Sequence, residues 1–349
     1  MMTIRERLAA FWSGERPDRI PFTTYENKLP LDWSDPVIRQ MLKDGLGVMR
    51  FIPTWAPRYD SGIEIIHQTG REDNRDVRQQ IWRTPVGEVS ALWTDDWQQK
   101  YYLETAEDYR VMIYIARHTH YVADYAAFHT QEVILPEYMV PVTRIGRTPL
   151  QTILVDYAGL ANFSLHLVEY PDEMQELFEA LRANFRKIVE IAAEGPGRYL
   201  NVIENFTADT LGPRRYKQFL LPVYEETFGI LHQAGKIVGV HYDGQIGVVK
   251  HLVAGSPIDL IESLTPPPEG DMTLAEARAV WPDKLFWANI NLGCYELPAD
   301  ELKQEMWKRA QAGAPDGRRL AFEVSEDKPA RWRESMPVIL AALNEYGLG

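Results

Sequence analysis

Between Tyr199 and Phe322 the chain repeats one pattern: a short apolar strand ending in a polar side chain, then an amphipathic helical stretch. The strand tips read Leu200-Asn201-Val202-Ile203-Glu204, Ile237-Val238-Gly239-Val240-His241-Tyr242-Asp243, Ile258-Asp259-Leu260-Ile261-Glu262 and Leu285-Phe286-Trp287-Ala288-Asn289-Ile290-Asn291. Alternation of this kind implies parallel strands joined by crossover helices. In such folds ligands bind at the carboxyl ends of the strands. Acids, a histidine and amides at successive tips therefore belong to one site.

The rest of the chain supplies the missing strands. A short helix from Ile4 to Trp12 precedes a strand over Arg19 to Glu26, and a helix from about Ser34 to Asp44 leads to a strand from Gly47 to Thr54. Asp60 to Trp93 breaks the rhythm with alternating, turn-rich sequence, which predicts an antiparallel hairpin excursion. Ala106 to Phe128 is predicted helical, with Glu107 and Asp108 in the first turn, where the helix dipole favours acids. A third strand and its loop fall within Tyr138 to Asp156, and a long helix runs from Asp172 to Gly195. Arg319 to Ser325 is the last strand, and Ser335 to Tyr346 the closing helix. About eight barrel strands result, the number of a closed (β/α)₈ TIM barrel. The expectation is an α/β fold, one domain over residues 1–349 with a hairpin and helical excursion in its N-terminal part.

Composition narrows the function classes. With 349 residues, 45% of them hydrophobic, the chain can bury a large core, yet no apolar run approaches the length of a membrane helix. The charged start Met1-Met2-Thr3-Ile4-Arg5-Glu6-Arg7 lacks an apolar signal core, so a cytoplasmic protein is expected. Cys294 stands alone, which excludes an internal disulfide and a cysteine zinc cluster. The net charge of −13 comes without a basic run, which argues against nucleic acid as a partner. A homodimer is the default assembly.

His241 and Asp243 are the leading pair. Side chains two apart on a strand share a face, so Gly239, His241 and Asp243 point into the barrel. Such a pair can bind a metal or serve as a general base with its orienting partner. Glu204 and Glu262 each end an apolar strand, where a carboxylate is costly unless paired, liganded or protonated. Asn289 and Asn291 share a strand-tip face and are candidates to orient substrate; Glu26, Asn27, Trp55 and Tyr157 are candidate pocket lining. Glu323 and Glu326 lie in and just past the last strand. His118 and His120 would diverge on a helix and form no metal pair. No dinucleotide fingerprint, phosphate loop, nucleophile elbow or His-Glu-x-x-His motif occurs.

Several segments resemble the uroporphyrinogen decarboxylase superfamily, which includes the decarboxylase and zinc- and corrinoid-dependent methyltransferases. They are Arg5-Glu6-Arg7-Leu8 through Gly14-Glu15-Arg16-Pro17-Asp18-Arg19-Ile20-Pro21, Leu221-Pro222-Val223-Tyr224, His241-Tyr242-Asp243-Gly244 and Ala288-Asn289-Ile290-Asn291. The resemblance implies a distorted (β/α)₈ barrel with its site at the strand carboxyl ends. The decarboxylase carries Arg-Gln-Ala-Gly-Arg after its first strand, where this chain has Thr24-Tyr25-Glu26-Asn27-Lys28. The thiol-activating methyltransferases bind zinc through a His-x-Cys turn and a later cysteine. Here the turn is His241-Tyr242-Asp243, Glu326 lies near the later position, and Cys294 sits in a different loop.

Carboxylate in place of thiolate leaves a harder site of Glu204, His241, Asp243 and Glu326, suited to zinc or another divalent Lewis acid. The resemblance therefore implies a metal-assisted methyltransferase, an O-demethylase that passes a methyl group from a small methoxylated substrate to a corrinoid on a separate protein. In it Glu204, His241, Asp243 and Glu262 are catalytic. Two alternatives stay open: a cofactor-free decarboxylase of a small carboxylic acid or porphyrinogen-like substrate, and a non-catalytic small-molecule-binding barrel.

Overall fold

The computed structural model describes residues 2–29, 32, 34–324 and 327–346; Glu326, named above as a metal ligand, lies outside the described residues. The chain groups into two compact units, Met1–Thr54 with Tyr125–Gly146 and Ala193–Gly349, and Trp55–Asp124 with Arg147–Ala192. Strands β1 (Phe22–Tyr25) and β2 (Gly47–Ile52) belong to the first. The second holds β3 (Trp55–Tyr59), β4 (Glu64–Glu72), β5 (Arg75–Thr84), β6 (Gly87–Thr94), β7 (Trp97–Lys100) and β8 (Thr119–Ala123). The first unit resumes with β9 (Met139–Gly146), β10 (Tyr199–Val202), β11 (Ile237–His241), β12 (Leu260–Leu264), β13 (Leu285–Asn289) and β14 (Leu320–Val324).

In the first unit eight strands close in the order β1-β14-β13-β12-β11-β10-β9-β2, and every neighbouring pair is parallel. This is the predicted (β/α)₈ barrel. Inward residues Tyr25, Met49, Val142, Tyr199, Leu260, Leu285, Trp287 and Ala321 form one buried cluster with Ile4, Leu8 and Phe11 of the helix Ile4–Trp12. Trp12 stacks on Tyr199 at 5.2 Å, and Phe11 meets Trp287 edge-on at 5.8 Å. Tyr199 and Leu285 open their strands, so the helix covers the amino-terminal end of the barrel and leaves the carboxyl end for a site. Its start is fixed reciprocally: Thr3 Oγ1 accepts from the Glu6 amide, and the Glu6 carboxylate accepts from the Thr3 amide.

Gly239 is the inward position of β11 next below His241, and it has no room for a side chain. A Cβ there would lie 2.4 Å from the Tyr199 hydroxyl and 3.0 Å from Leu260. Gly239→Ala is expected to destabilise the protein by about 1–3 kcal/mol through overpacking, read as a lower midpoint in urea unfolding at unchanged slope.

In the second unit β4-β5-β6-β7 form an antiparallel sheet, the predicted excursion extended to Lys100. One expectation is corrected here. The helices expected to fill Ala106 to Phe128 are interrupted: one ends at Arg117 and another begins at Ala126, and between them Thr119–Ala123 becomes β8, antiparallel to β3. Thr119, Tyr121 and Val122 are strand formers, and a waiting edge decides their conformation. His118 ends the helix, while His120 sits on β8 with Nε2 2.9 Å from Asp60 Oδ1. The long helix Pro171–Glu194 buries the expected stripe of Met174, Leu177, Phe178, Leu181, Phe185 and Ile188. Among the described residues no helix is long and apolar enough to cross a membrane.

Candidate active site

Strand register brings the site together. Asn201 on β10 pairs with Arg144 on one side and Gly239 on the other. His241, at the end of β11, pairs with Glu262. Arg144 Nε donates to Asn201 Oδ1 at 3.2 Å, and Asn201 Nδ2 donates to Glu262 Oε2 at 3.0 Å. The same oxygen lies 2.7 Å from His241 Nδ1. Oε2 already accepts from Asn201, and an ionised Glu262 would accept from His241 Nδ1 as well. On the other side His241 Nε2 is 3.4 Å from Asp243 Oδ2, which also accepts from Asn205 Nδ2 at 3.0 Å. A chain of polar groups thus crosses the carboxyl end of the barrel, with His241 held between two acids.

The backbone bends where this chain needs it. Ser263 has φ +60°, at the register shift between Glu262 and Leu264. Its amide donates to Glu323 Oε1 at 2.9 Å. Asn205 has φ +47°, a left-handed position that asparagine tolerates better than most residues.

His241 and Asp243 open on a cavity of about 520 Å³ lined also by Tyr25, Glu26, Asn27, Lys28, Met49, Phe51, Arg144, Ile203 and Asn205. Arg144 lies 3.5 Å from the centre of the Phe51 ring. Glu26 is engaged by Arg50, whose Nε donates to Oε2 at 2.7 Å and whose Nη2 contacts Oε1. That hydrogen bond outweighs the partial burial of Arg50 and raises its pKa.

Burial alone would raise the pKa of Asp243, but hydrogen bonding and attraction to His241, with the Asn205 amide, take it below its ordinary value. Folding therefore favours the ionised form. That contribution is complete above the ordinary carboxylate range, near about 4, and is lost as pH falls through the lower folded value. In urea unfolding followed downward from neutral pH, the stability gap between wild type and Asp243→Asn is expected to narrow in that acid range. A gap constant with pH would contradict it.

Glu204 is fully buried and takes a different place. Its Oε1 accepts from the Tyr224 hydroxyl at 2.7 Å, and Tyr224 lies 2.9 Å from the Tyr242 hydroxyl. Burial, then the charge of Glu204, pushes the Tyr224 phenol well above its usual pKa. Glu204 is not among the cavity-lining residues. Asn289 and Asn291 hold the loop after β12: Asn291 Nδ2 donates to the Pro266 carbonyl at 2.8 Å and contacts Glu269, and Asn289 Nδ2 lies 3.5 Å from Thr265 Oγ1. Trp55 and Tyr157 belong to the second unit, where Trp55 packs edge-on against Tyr121 at 5.4 Å.

For a divalent ion the described residues offer two donors here, His241 Nε2 and Asp243 Oδ2. Catalytic zinc takes three protein ligands, and no group of three or more His, Cys, Asp or Glu is gathered among the described residues. Among the described residues this donor set is one short of that number, and Glu326 lies outside them. Arg144, Asn201, Asn205 and Lys28 were not singled out by the sequence. Arg144 and Asn201 follow from the rule that selects His241: Val140, Val142 and Arg144 share one face of β9, Tyr199 and Asn201 one face of β10.

No protein-family model matches the sequence, and no curated protein is similar to it in sequence. In structure the chain is similar to a methyltransferase from Methanosarcina mazei, at 13% identity and a TM-score of 0.58 over 99% of each chain. That is a likeness of fold, extending over the whole length. A pneumococcal exo-β-D-N-acetylglucosaminidase module aligns over 94% of this chain and 85% of its own at 8% identity. Its TM-score of 0.38 is too low to bear on the argument.

Proposed function

We propose that this chain is a methyltransferase of the uroporphyrinogen decarboxylase superfamily, an O-demethylase for a small methoxylated substrate. The observation that carries the reading is the Glu262–His241–Asp243 array at a cavity lined by apolar side chains and by charges of both signs, Glu26 and Asp243 with Lys28 and Arg144. Tyr25, Met49 and Phe51 suit an aromatic or methoxy group, while Lys28 and Arg144 suit an anionic substituent.

The methyl acceptor is a reduced corrinoid on a separate protein, which supplies the electron pair for the new bond to the methyl carbon. The bond from oxygen to methyl breaks, and its electron pair stays on the oxygen. His241 donates the proton at Nε2 to that oxygen, so the leaving group departs neutral. Glu262 at Nδ1 fixes the ring and supports its charge, and Asp243 orients Nε2 and assists its reprotonation from solvent. None of these roles requires a metal.

Lys28 and Arg144 also favour a second reading, in which they hold the carboxylate of a small acid before its decarboxylation. One experiment separates the two. Protein incubated with methoxylated aromatics and free cob(I)alamin should give free phenol and methylated corrinoid in equal amounts. Release of carbon dioxide from small acids, with no demethylation of any donor, would move the assignment to the decarboxylase. Thermal stabilisation by ligands without turnover of either kind would leave a binding barrel. Stoichiometric zinc in chelator-free protein, lost in His241→Ala, would restore a metal-assisted form of the transfer.

A further inference from the structure

We propose that the second unit holds a binding site for a small methylated ammonium ion, walled by Trp93, Tyr102 and Tyr157 and backed by the carboxylate of Asp156. These residues and Trp82 line a cavity of about 310 Å³. The rings stand as walls rather than as a stack. Trp93 and Tyr102 have centroids 6.4 Å apart at 69°, and Tyr102 and Tyr157 lie 6.0 Å apart at 89°. Near-perpendicular neighbours around a space can present π density to one guest from several sides.

The guest that gains most is a cation with no hydrogen to donate. A methylated ammonium is weakly hydrated, fits apolar walls, and is attracted by the negative faces of Trp and Tyr. The Arg78 guanidinium already lies 4.9 Å from the Trp93 centroid, so the ring has the geometry for a cation and the guest would share it with Arg78. Asp156 adds a formal charge: it pairs with Arg147 Nη1 at 3.0 Å, while its side chain keeps 40% of its surface open. That leaves carboxylate surface for a second cation.

The backbone is specialised at this point. Asp156 and Tyr157 lie on a π-helical stretch, Thr152–Ala158, of the kind that occurs at functional sites. It ends at Gly159, with φ +69°, where a Cβ would come within 2.5 Å of the Tyr101 ring. The Tyr102 hydroxyl donates to Gln80 Oε1, fixing one wall. The π-helical stretch thus carries two of the cavity's lining residues, and a tethered ring forms a third wall.

Choline and its neutral carbon isostere, 3,3-dimethylbutan-1-ol, are the probes, read by calorimetry and tryptophan fluorescence. Choline is expected to bind saturably and the isostere about tenfold more weakly, with Trp93→Leu and Asp156→Asn each weakening choline about tenfold. Equal affinity for the neutral isostere would reduce the site to an apolar pocket and overturn the proposal. So would absence of saturable choline binding in natively folded protein. Asp156 is partly exposed, so Asp156→Asn serves if Trp93→Leu fails to fold. None of these readouts depends on methyl transfer by the first unit.

Discussion

Glu262→Ala is expected to lower the free energy of unfolding by about 3–5 kcal/mol, the range for removing one partner of a buried charged pair. Glu262 is 1% exposed. One of its oxygens accepts from both His241 Nδ1 at 2.7 Å and Asn201 Nδ2 at 3.0 Å. Truncation would leave both donors buried and facing a void, and each unsatisfied group costs about 1–3 kcal/mol. Asn201 would lose the partner that sets its orientation toward Arg144. Glu262→Gln keeps the shape and one acceptor, so its loss should be clearly smaller. Urea unfolding of the three proteins measures both differences. A loss under about 1 kcal/mol in Glu262→Ala would mean that water replaces the carboxylate and that it does not anchor the array.

The barrel was legible because its signal is local. Each strand announces itself by a short apolar run ending in a polar side chain and each crossover by an apolar stripe, with no need to know which strands touch. His241 and Asp243 came from strand alternation, two residues apart on one face. What joins Glu262 to His241 is register between β11 and β12, a tertiary property that neither segment encodes alone. Glu204 was singled out because it ends an apolar run, and parity was not applied to it. Asn201 and Ile203 face inward, so Glu204 falls on the helix side, where Tyr224 meets it. The chain also leaves β10 at Val202 and turns at Asn205 with φ +47°. The segment Thr119–Ala123 failed differently: its conformation is set by pairing with β3 across a long sequence separation. Asn289 and Asn291 were read as substrate groups from position alone, whereas Asn289 reaches Thr265 and Asn291 bonds Pro266 and Glu269, all on the loop after β12.

His241→Gln is expected to cut the proposed methyl transfer by about 10²–10⁴-fold in kcat, the usual worth of a positioned general acid. The amide cannot give up a proton, so the oxygen of the substrate would have to leave as an anion. Substrate affinity should change little, because Lys28, Arg144 and the apolar walls remain. Loss concentrated in kcat is therefore the signature of proton donation, while loss concentrated in KM would identify His241 as a binding group. Leaving-group dependence sharpens the distinction. Donors whose phenol is already acidic need less protonation as they depart, so the deficit of His241→Gln should shrink across a series of increasingly acidic leaving groups. A deficit equal for every donor would assign His241 to positioning and leave proton donation to another group. Glu262→Gln supplies the internal comparison. It leaves the imidazole in place but weakens the acceptor on Nδ1, so its kcat should fall between wild type and His241→Gln, with the same dependence on leaving group.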